Sequence, residues 1–532
     1  MTSGGQATDP LVQLVESQDA RYFMHNGEGF VVTRLPRGTR VVYPRPPLPA
    51  IADVRGAVRH ALEHPLGCDP LRALVGPGAK VTIAFDDLSL PLPPMRAPDL
   101  RQIIIEEVVD LLAAQGVDDI HLVAAVCLHR HMTPAELRRI LGRRIFNQFH
   151  PAGRLTNHDA EDKANIVHLG VTERGEDVEL PRRAVESDLL MYVNINLVAM
   201  DGGHKSIPIG LGTYRSIRHN HNVTTLLNSR SYMDPPRSAM HHSASRQGKV
   251  VEQHVRTFTI ETTVNNHMFP DWLGFLERRE DQFSAWDWAM LRVNKTVLDV
   301  LPQAACRRIF QAIKSPYGLT GVHAGRTDPV HERTLANIER QHIVPVDGQS
   351  DILIVGVPYI GPYNVLSIMN PILVMCMALG YLFNFYRGKP LVREGGVLIF
   401  QHPLEWKFHP VHHPSYIEFF DRVLADTTDP KTIEAKYEEE FAHNPRYIDR
   451  YRFHHAFHGV HPFYMWYWGC HALKHLGRVI SVNPRSPQAA ARMGFATAKH
   501  LAAALEMASE VVGPSPSITL LHMAPIVMCD VR

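Results

Sequence analysis

From about Lys80 the chain alternates short β-branched runs with longer stretches whose apolar residues recur at helical spacing, which is the pattern of parallel α/β units. Lys80–Phe85 (KVTIAF), Ile120–Cys127 and Leu189–Ile195 read as strands. Asp99–Gln115 carries the helical spacing and stops at Gly116, a residue able to take the left-handed conformation that ends a helix. Thr133-Pro134-Ala135-Glu136 predicts a further helix start, with a capping threonine, a proline at the first helical position and a glutamate at the third. A second set opens with the strand Asp351–Val357, continues through an apolar helix after Asn364 and reaches the strand Gly396–Gln401. The expected fold class is α/β: two α/β domains with parallel-type sheets flanked by helices.

At 532 residues the chain is too long for one core, which supports that division. The pattern predicts an N-terminal domain over 1–275, a helical connection over 276–345 and a second α/β domain over 346–485. The second domain carries a charged, aromatic and histidine-rich insertion at about 405–462, and a C-terminal helical segment and tail follow over 486–532. Hydrophobic residues at 45% and charged residues at 20% are ordinary for packed domains. The 55 Lys and Arg against 54 Asp and Glu leave a net charge of +1 without a basic block, which argues against nucleic acid as a partner. Six cysteines without a C-x-x-C pair argue against a disulfide framework and a cysteine zinc site. Met1–Pro10 lacks a basic-then-apolar secretory pattern. The longest apolar run, Pro371–Phe385, falls short of the roughly 18 to 20 residues that span a bilayer and reads as a buried helix. A cytoplasmic protein with no membrane partner is expected.

Four segments sit at strand-to-helix junctions, where α/β folds place ligands. They are Asp86-Asp87-Leu88-Ser89-Leu90-Pro91, Cys127-Leu128-His129-Arg130-His131-Met132-Thr133, Asn157-His158-Asp159-Ala160 and Asp201-Gly202-Gly203-His204-Lys205-Ser206-Ile207-Pro208. Singly each is ordinary, since a histidine after a strand is usually structural and Gly-Gly-x-Lys occurs in plain loops. In this order, with Pro65-Leu66-Gly67 and Pro70-Leu71-Arg72 upstream, they resemble the nickel-pincer-nucleotide lactate racemase family. The resemblance runs over about 29–228 and resumes more weakly over 351–401 and 468–482. It implies an active site between the domains and a nickel ion held by two sulfurs and a carbon of a pyridinium mononucleotide. On the matching positions, Lys205 tethers the cofactor through a thioamide, His221 is the protein's ligand to nickel, and Asp87 with Gly202 and Gly203 helps seat the nucleotide. Imidazole suits square-planar Ni(II). His129 matches the acid/base histidine, and Trp468 matches a tryptophan closing over the site. The implied reaction is racemisation or epimerisation of a small secondary alcohol by transient hydride transfer. The implied partners are the substrate and the cofactor-building enzymes, and assembly into homo-oligomers is compatible with the resemblance.

The chain departs from the family at several positions. Leu90 stands where an arginine grips the substrate carboxylate, and Ser367 and Asn370 align with the second-domain residues that also contact it. Lactate is therefore disfavoured in favour of a less charged secondary alcohol or hydroxy acid derivative. Ile195 replaces the second acid/base histidine, and His204 is the candidate to supply that function; the rival is a reaction in which His129 acts alone. Two other classes stay open. One is a non-catalytic or regulatory homologue, favoured by the lost arginine and histidine. The other is a zinc-dependent hydrolase or structural zinc site built on His412, His413, His454, His455, His458, His471 and His475, some of which sit at ligand spacing among 32 histidines. Gly210-Leu211-Gly212 lacks the third glycine and the acidic residue of a dinucleotide loop.

Overall fold

Two β-sheets organise the chain, and the computed structural model describes residues 10–90 and 93–532. Pro91 of the first motif and residues 1–9 lie outside the described residues. The first sheet runs in the order Leu319–Gly325, Thr257–Val264, Leu189–Asn196, Lys80–Asp86, Asp119–Ala125, Leu155–Asn157. Its neighbours are parallel except at Leu319–Gly325, which is antiparallel. Every residue of Leu189–Asn196 is buried, as in a central strand covered on both faces. The expected helices are present. Leu100–Ala114 is capped by Asp99, and Thr133 forms a capping box with Glu136 at the head of Pro134–Phe149. Gly116 follows the first of these with φ 73°.

From Lys80–Asp86 the sheet is built outward through Asp119–Ala125, and from Leu189–Asn196 it is built the opposite way. The crevice at the carboxyl ends of those two strands is thus a topological switch point, where open α/β sheets bind ligands.

The second sheet departs from the expected domain boundaries. Its order is Val12–Leu14, Arg40–Val42, Ile518–Leu521, Ser350–Gly356, Val392–Gln401, Arg478–Val482, Ala496–Ala498. The start of the chain therefore pairs with its last quarter, and the segment read as a C-terminal tail supplies an interior strand. Likewise the expected helical connection contains Leu319–Gly325, which completes the first sheet. Local periodicity reports which residues form a strand but not which distant strand they pair with. The apolar run begins as the helix Pro371–Met375, widens into a π-turn over Cys376–Tyr381 and tightens at Leu382–Asn384, buried throughout. Among the described residues no helix is long and apolar enough to cross a membrane. The histidine-rich segment folds into helices, Pro430–Ala442 and Pro445–Phe453 among them, between the strands Val392–Gln401 and Arg478–Val482.

Candidate functional site

The switch-point crevice opens into a cavity of about 1050 Å³ of atom-free space, its mouth included, lined by residues from both halves of the chain. Asp87, Leu90, His129, Gly202, Lys205, His221 and Trp468 all line it.

Asp86 and Asp87 end the strand Lys80–Asp86 and enter a loop that Arg101 holds by donating to both of their carbonyls and to the Asp99 carboxylate. Asp87 accepts hydrogen bonds from Ser89 N (2.9 Å) and from His129 Nδ1 (2.9 Å). A carboxylate can only accept here, so His129 carries its proton on Nδ1 and leaves Nε2 for the cavity. Burial alone would raise the Asp87 carboxyl, but His129 and Ser89 reverse this and hold it below the usual carboxylate value. Asp86 lies deeper and accepts from Ile195 N (2.7 Å) and Asn194 Nδ2 (3.0 Å); burial pushes it up to about 7 against those donors.

The His129 loop is clamped by the histidine-rich segment. Tyr451 OH donates to Cys127 O (2.6 Å), and His458 N donates to Leu128 O (3.0 Å). Cys127 itself holds φ 44°, a left-handed value that this clamp sustains.

Lys205 projects from a tight turn, Gly203–Lys205, that leads into the helix Ser206–Gly210. Two glycines make that turn. Gly202 has φ 80°, and a Cβ there would sit 2.6 Å from both Asn196 Oδ1 and Glu261 Oε1. Gly203 lies beneath the cavity wall, where its N–H donates to Glu261 Oε1 (2.6 Å). Burial lowers the Lys205 ammonium below its ordinary value, with Asp201 and Asp86 pulling the other way.

His221 ends the helix Tyr214–His221. Its Nδ1 is 2.5 Å from Asn220 Oδ1, Asn220 Nδ2 donates to Gln247 Oε1 (2.7 Å), and Gln247 Nε2 donates to Ser216 O (2.9 Å). This relay puts the proton on Nδ1 and frees Nε2 as a ligand, the outer support that metal-binding histidines characteristically have. Burial, then Lys205 and His129, push His221 down to about 3, so its imidazole is neutral and ligand-ready.

The opposite wall comes from the helix His461–Trp468, which presents His461, Tyr464, Met465 and Trp468 to the cavity. Tyr363 and Tyr381 complete it. Three buried polar atoms on this wall, His461 Nε2, Tyr464 OH and Trp468 Nε1, have no hydrogen-bond partner. Such atoms cost about 1–3 kcal/mol each unless a ligand satisfies them. Burial, followed by the imidazoles of His129, His413, His221 and His458, pushes His461 well below the ordinary histidine range. The sequence reading found Trp468 but missed His461, Tyr464 and Met465. Their helical spacing of seven, four and three residues before Trp468 was the available signal.

Three expected site residues lie elsewhere. His204 is turned away from the cavity: Nε2 pairs with Asp328 Oδ1 at 2.9 Å, and Nδ1 lies 3.8 Å from Glu252. Its neighbour Lys205 takes the inward direction. Asn370 instead caps the helix Pro371–Met375 by accepting from Leu373 N (3.1 Å). Ser367 packs behind the wall, its carbonyl accepting from Tyr359 OH (2.8 Å). Of the histidines considered for zinc, His471 and His475 lie side by side with ring centroids 6.0 Å apart and His412 and His413 lie 6.3 Å apart. His454 faces Asp449, His455 meets His131 O, His458 meets Glu161, His471 meets Tyr386 OH and His475 meets Val392 O. Among the described residues no group of three or more His, Cys, Asp or Glu is placed to hold a metal ion.

Residues 27–234 match the lactate racemase N-terminal domain. The lactate racemase of Lactiplantibacillus plantarum is 27% identical over 173 residues, and that of Thermoanaerobacterium thermosaccharolyticum is 26% identical over the same length. Each match takes in 31% of this chain and spans 37% of the length of the relative. The structure of the lactate racemase apoprotein from T. thermosaccharolyticum superposes with a TM-score of 0.64 at 18% identity, covering 96% of this chain and 100% of that one. A Thermotoga maritima protein gives a TM-score of 0.50 at 13% identity over 90% of this chain and 98% of its own. The matched segment contains Asp87, His129, Lys205 and His221, whereas the wall bearing His461 lies beyond it. Over residues 27–234 the chain is thus similar to the lactate racemase N-terminal domain, and as a whole it shares the fold of the lactate racemase apoprotein.

Proposed function

We propose that this chain is a racemase or epimerase of secondary alcohols working with a nickel-pincer nucleotide, and that its substrate is an uncharged alcohol or hydroxy acid derivative rather than lactate. The observation that carries this reading is the convergence of Lys205, His221 and His129 on one cavity. The residues fit the group. His221 offers a neutral imidazole whose other nitrogen is fixed by Asn220, Lys205 is an amine lowered by burial, and the facing wall has polar atoms awaiting partners. His221 Nε2 would be the protein's ligand to nickel, and Lys205 Nζ would carry the nucleotide. When bound, the nucleotide supplies an acceptor and donor of hydride.

The remaining work falls to the chain. His129 Nε2 takes the hydroxyl proton and returns it, while the Asp87 carboxylate orients the ring and offsets the imidazolium charge. Trp468, Tyr464 and Tyr381 close the cavity to water. Lys205 is the only Lys or Arg among the described lining residues, and Leu90 holds the position of the expected arginine. With the Lys205 amine taken up in a neutral thioamide, a substrate carboxylate would be desolvated without a lysine or arginine counter-charge, at a cost of several kcal/mol.

The test is intact-mass and peptide analysis of the chain produced together with the cofactor-building enzymes. A nucleotide adduct on Lys205, lost in Lys205→Ala, is expected. Unmodified Lys205 would favour a second reading that the replacements Leu90 and Ile195 support, a binding or regulatory homologue without turnover.

A further inference from the structure

Inverting a carbinol carbon through a ketone requires a group that takes the hydroxyl proton from one enantiomer and a second that serves the other. His129 is one. Ile195 is a hydrocarbon, and His204 is engaged with Asp328 away from the cavity. Another proton carrier stands on the cavity wall supplied by the second half of the chain.

His461 is 2% exposed and lines the same cavity as His129. The two ring centroids are 5.4 Å apart at 80°, and the Tyr363 ring packs against both, 5.1 Å from His129 and 4.7 Å from His461. His461 Nδ1 is 2.5 Å from Tyr416 OH, and its Nε2 has no partner. A tyrosine hydroxyl can accept from Nδ1–H or donate to bare Nδ1, so this contact supports the ring whether or not Nε2 carries a proton. His129 is supported at Nδ1 in the same way by Asp87. The difference is charge, because Asp87 supplies a counter-ion for an imidazolium and Tyr416 does not.

Resting on the function proposed above, we propose that His461 is the second proton-transfer residue and shares a single proton with His129. One Nε2 of the pair carries that proton and the other is bare, and either distribution can meet substrate. From one enantiomer the hydroxyl proton passes to His461 Nε2, the flat ketone turns over, and His129 Nε2–H reprotonates the oxygen. From the other enantiomer the roles exchange. The ketone oxygen moves only a short way in turning, so neighbouring imidazoles suffice, and their proximity lets the proton return between cycles. The hydrogen on carbon leaves and comes back as hydride, and one proton is taken for each one given, so no external oxidant or reductant is consumed.

The experiment uses holoenzyme carrying the Lys205 adduct and the separate enantiomers of lactamide, 2-butanol and 1-phenylethanol, with lactate for comparison. Acid-quenched single turnovers are assayed for ketone. His461→Gln should keep the adduct, lower interconversion at least 100-fold, and abolish ketone formation from one enantiomer while sparing the other. His129→Gln should show the opposite preference. Tyr416→Phe should lower kcat with little change in KM. Loss from both enantiomers alike, or full interconversion by His461→Gln, overturns the assignment. Adducted wild-type enzyme that turns over none of these alcohols overturns the racemase reading and this inference with it.

Discussion

At the scale of single residues, the turn before Lys205 depends on a backbone that other residues rarely adopt. Gly202 holds φ 80° and ψ −163°, with Asn196 and Glu261 crowding the place of a side chain. Gly202→Ala should cost about 1–3 kcal/mol from backbone strain, with the crowding adding to it, and shift Lys205 out of line. Chemical denaturation would show the lower midpoint, and the fraction of adducted chain would fall with it. The Gly-Gly-x-Lys order was readable as a motif because it encodes local geometry. The direction of His204 was not, because it is decided by Asp328, which lies 124 positions away. Ser367 and Asn370 escaped for a similar reason: short polar side chains readily serve turns and helix caps, and sequence alignment does not separate that duty from substrate contact.

At the scale of elements, Glu438 joins three helices. It lies on Pro430–Ala442 and accepts from Tyr467 OH (2.9 Å) on the wall helix and from Tyr214 OH (3.2 Å) on the helix that ends at His221. Burial, chiefly, raises its carboxyl from the ordinary 4.5 to about 7. The folded state thus binds this proton more tightly than the unfolded chain. The resulting stability is complete below about pH 4.5 and is lost as pH rises through about 7. Glu438→Gln should remove that slope, amounting to about 3 kcal/mol across the window. Denaturation measured at pH 5 and at pH 7.5 would reveal it, and an unchanged difference between the two would refute the account. The strands and capped helices were legible because their signals are periodic and local. The wall helix was legible only at Trp468, since its use depends on which face the second half turns toward the first.

At the scale of the whole molecule, the second sheet is stitched from distant parts of the chain. Leu520 and Leu521 pair on one side with Val41 and Val42 and on the other with Ile354 and Val355. A chain shortened after Val512 would lose that interior strand. It should fail to form the second half, a loss visible as missing near-ultraviolet dichroism and rapid proteolysis beyond residue 350. Sequence periodicity placed these strands poorly because pairing between residues so far apart leaves no local trace.

This stitching also sets an order of events during synthesis. The sheet bearing Lys205 and His129 draws only on residues up to 325, so it can form while the ribosome is still extending the polypeptide. The half that bears Trp468 must wait until residue 521 has emerged. A newborn molecule therefore passes through a stage in which the Lys205 amine stands uncovered, before the wall that bears Trp468 folds over it.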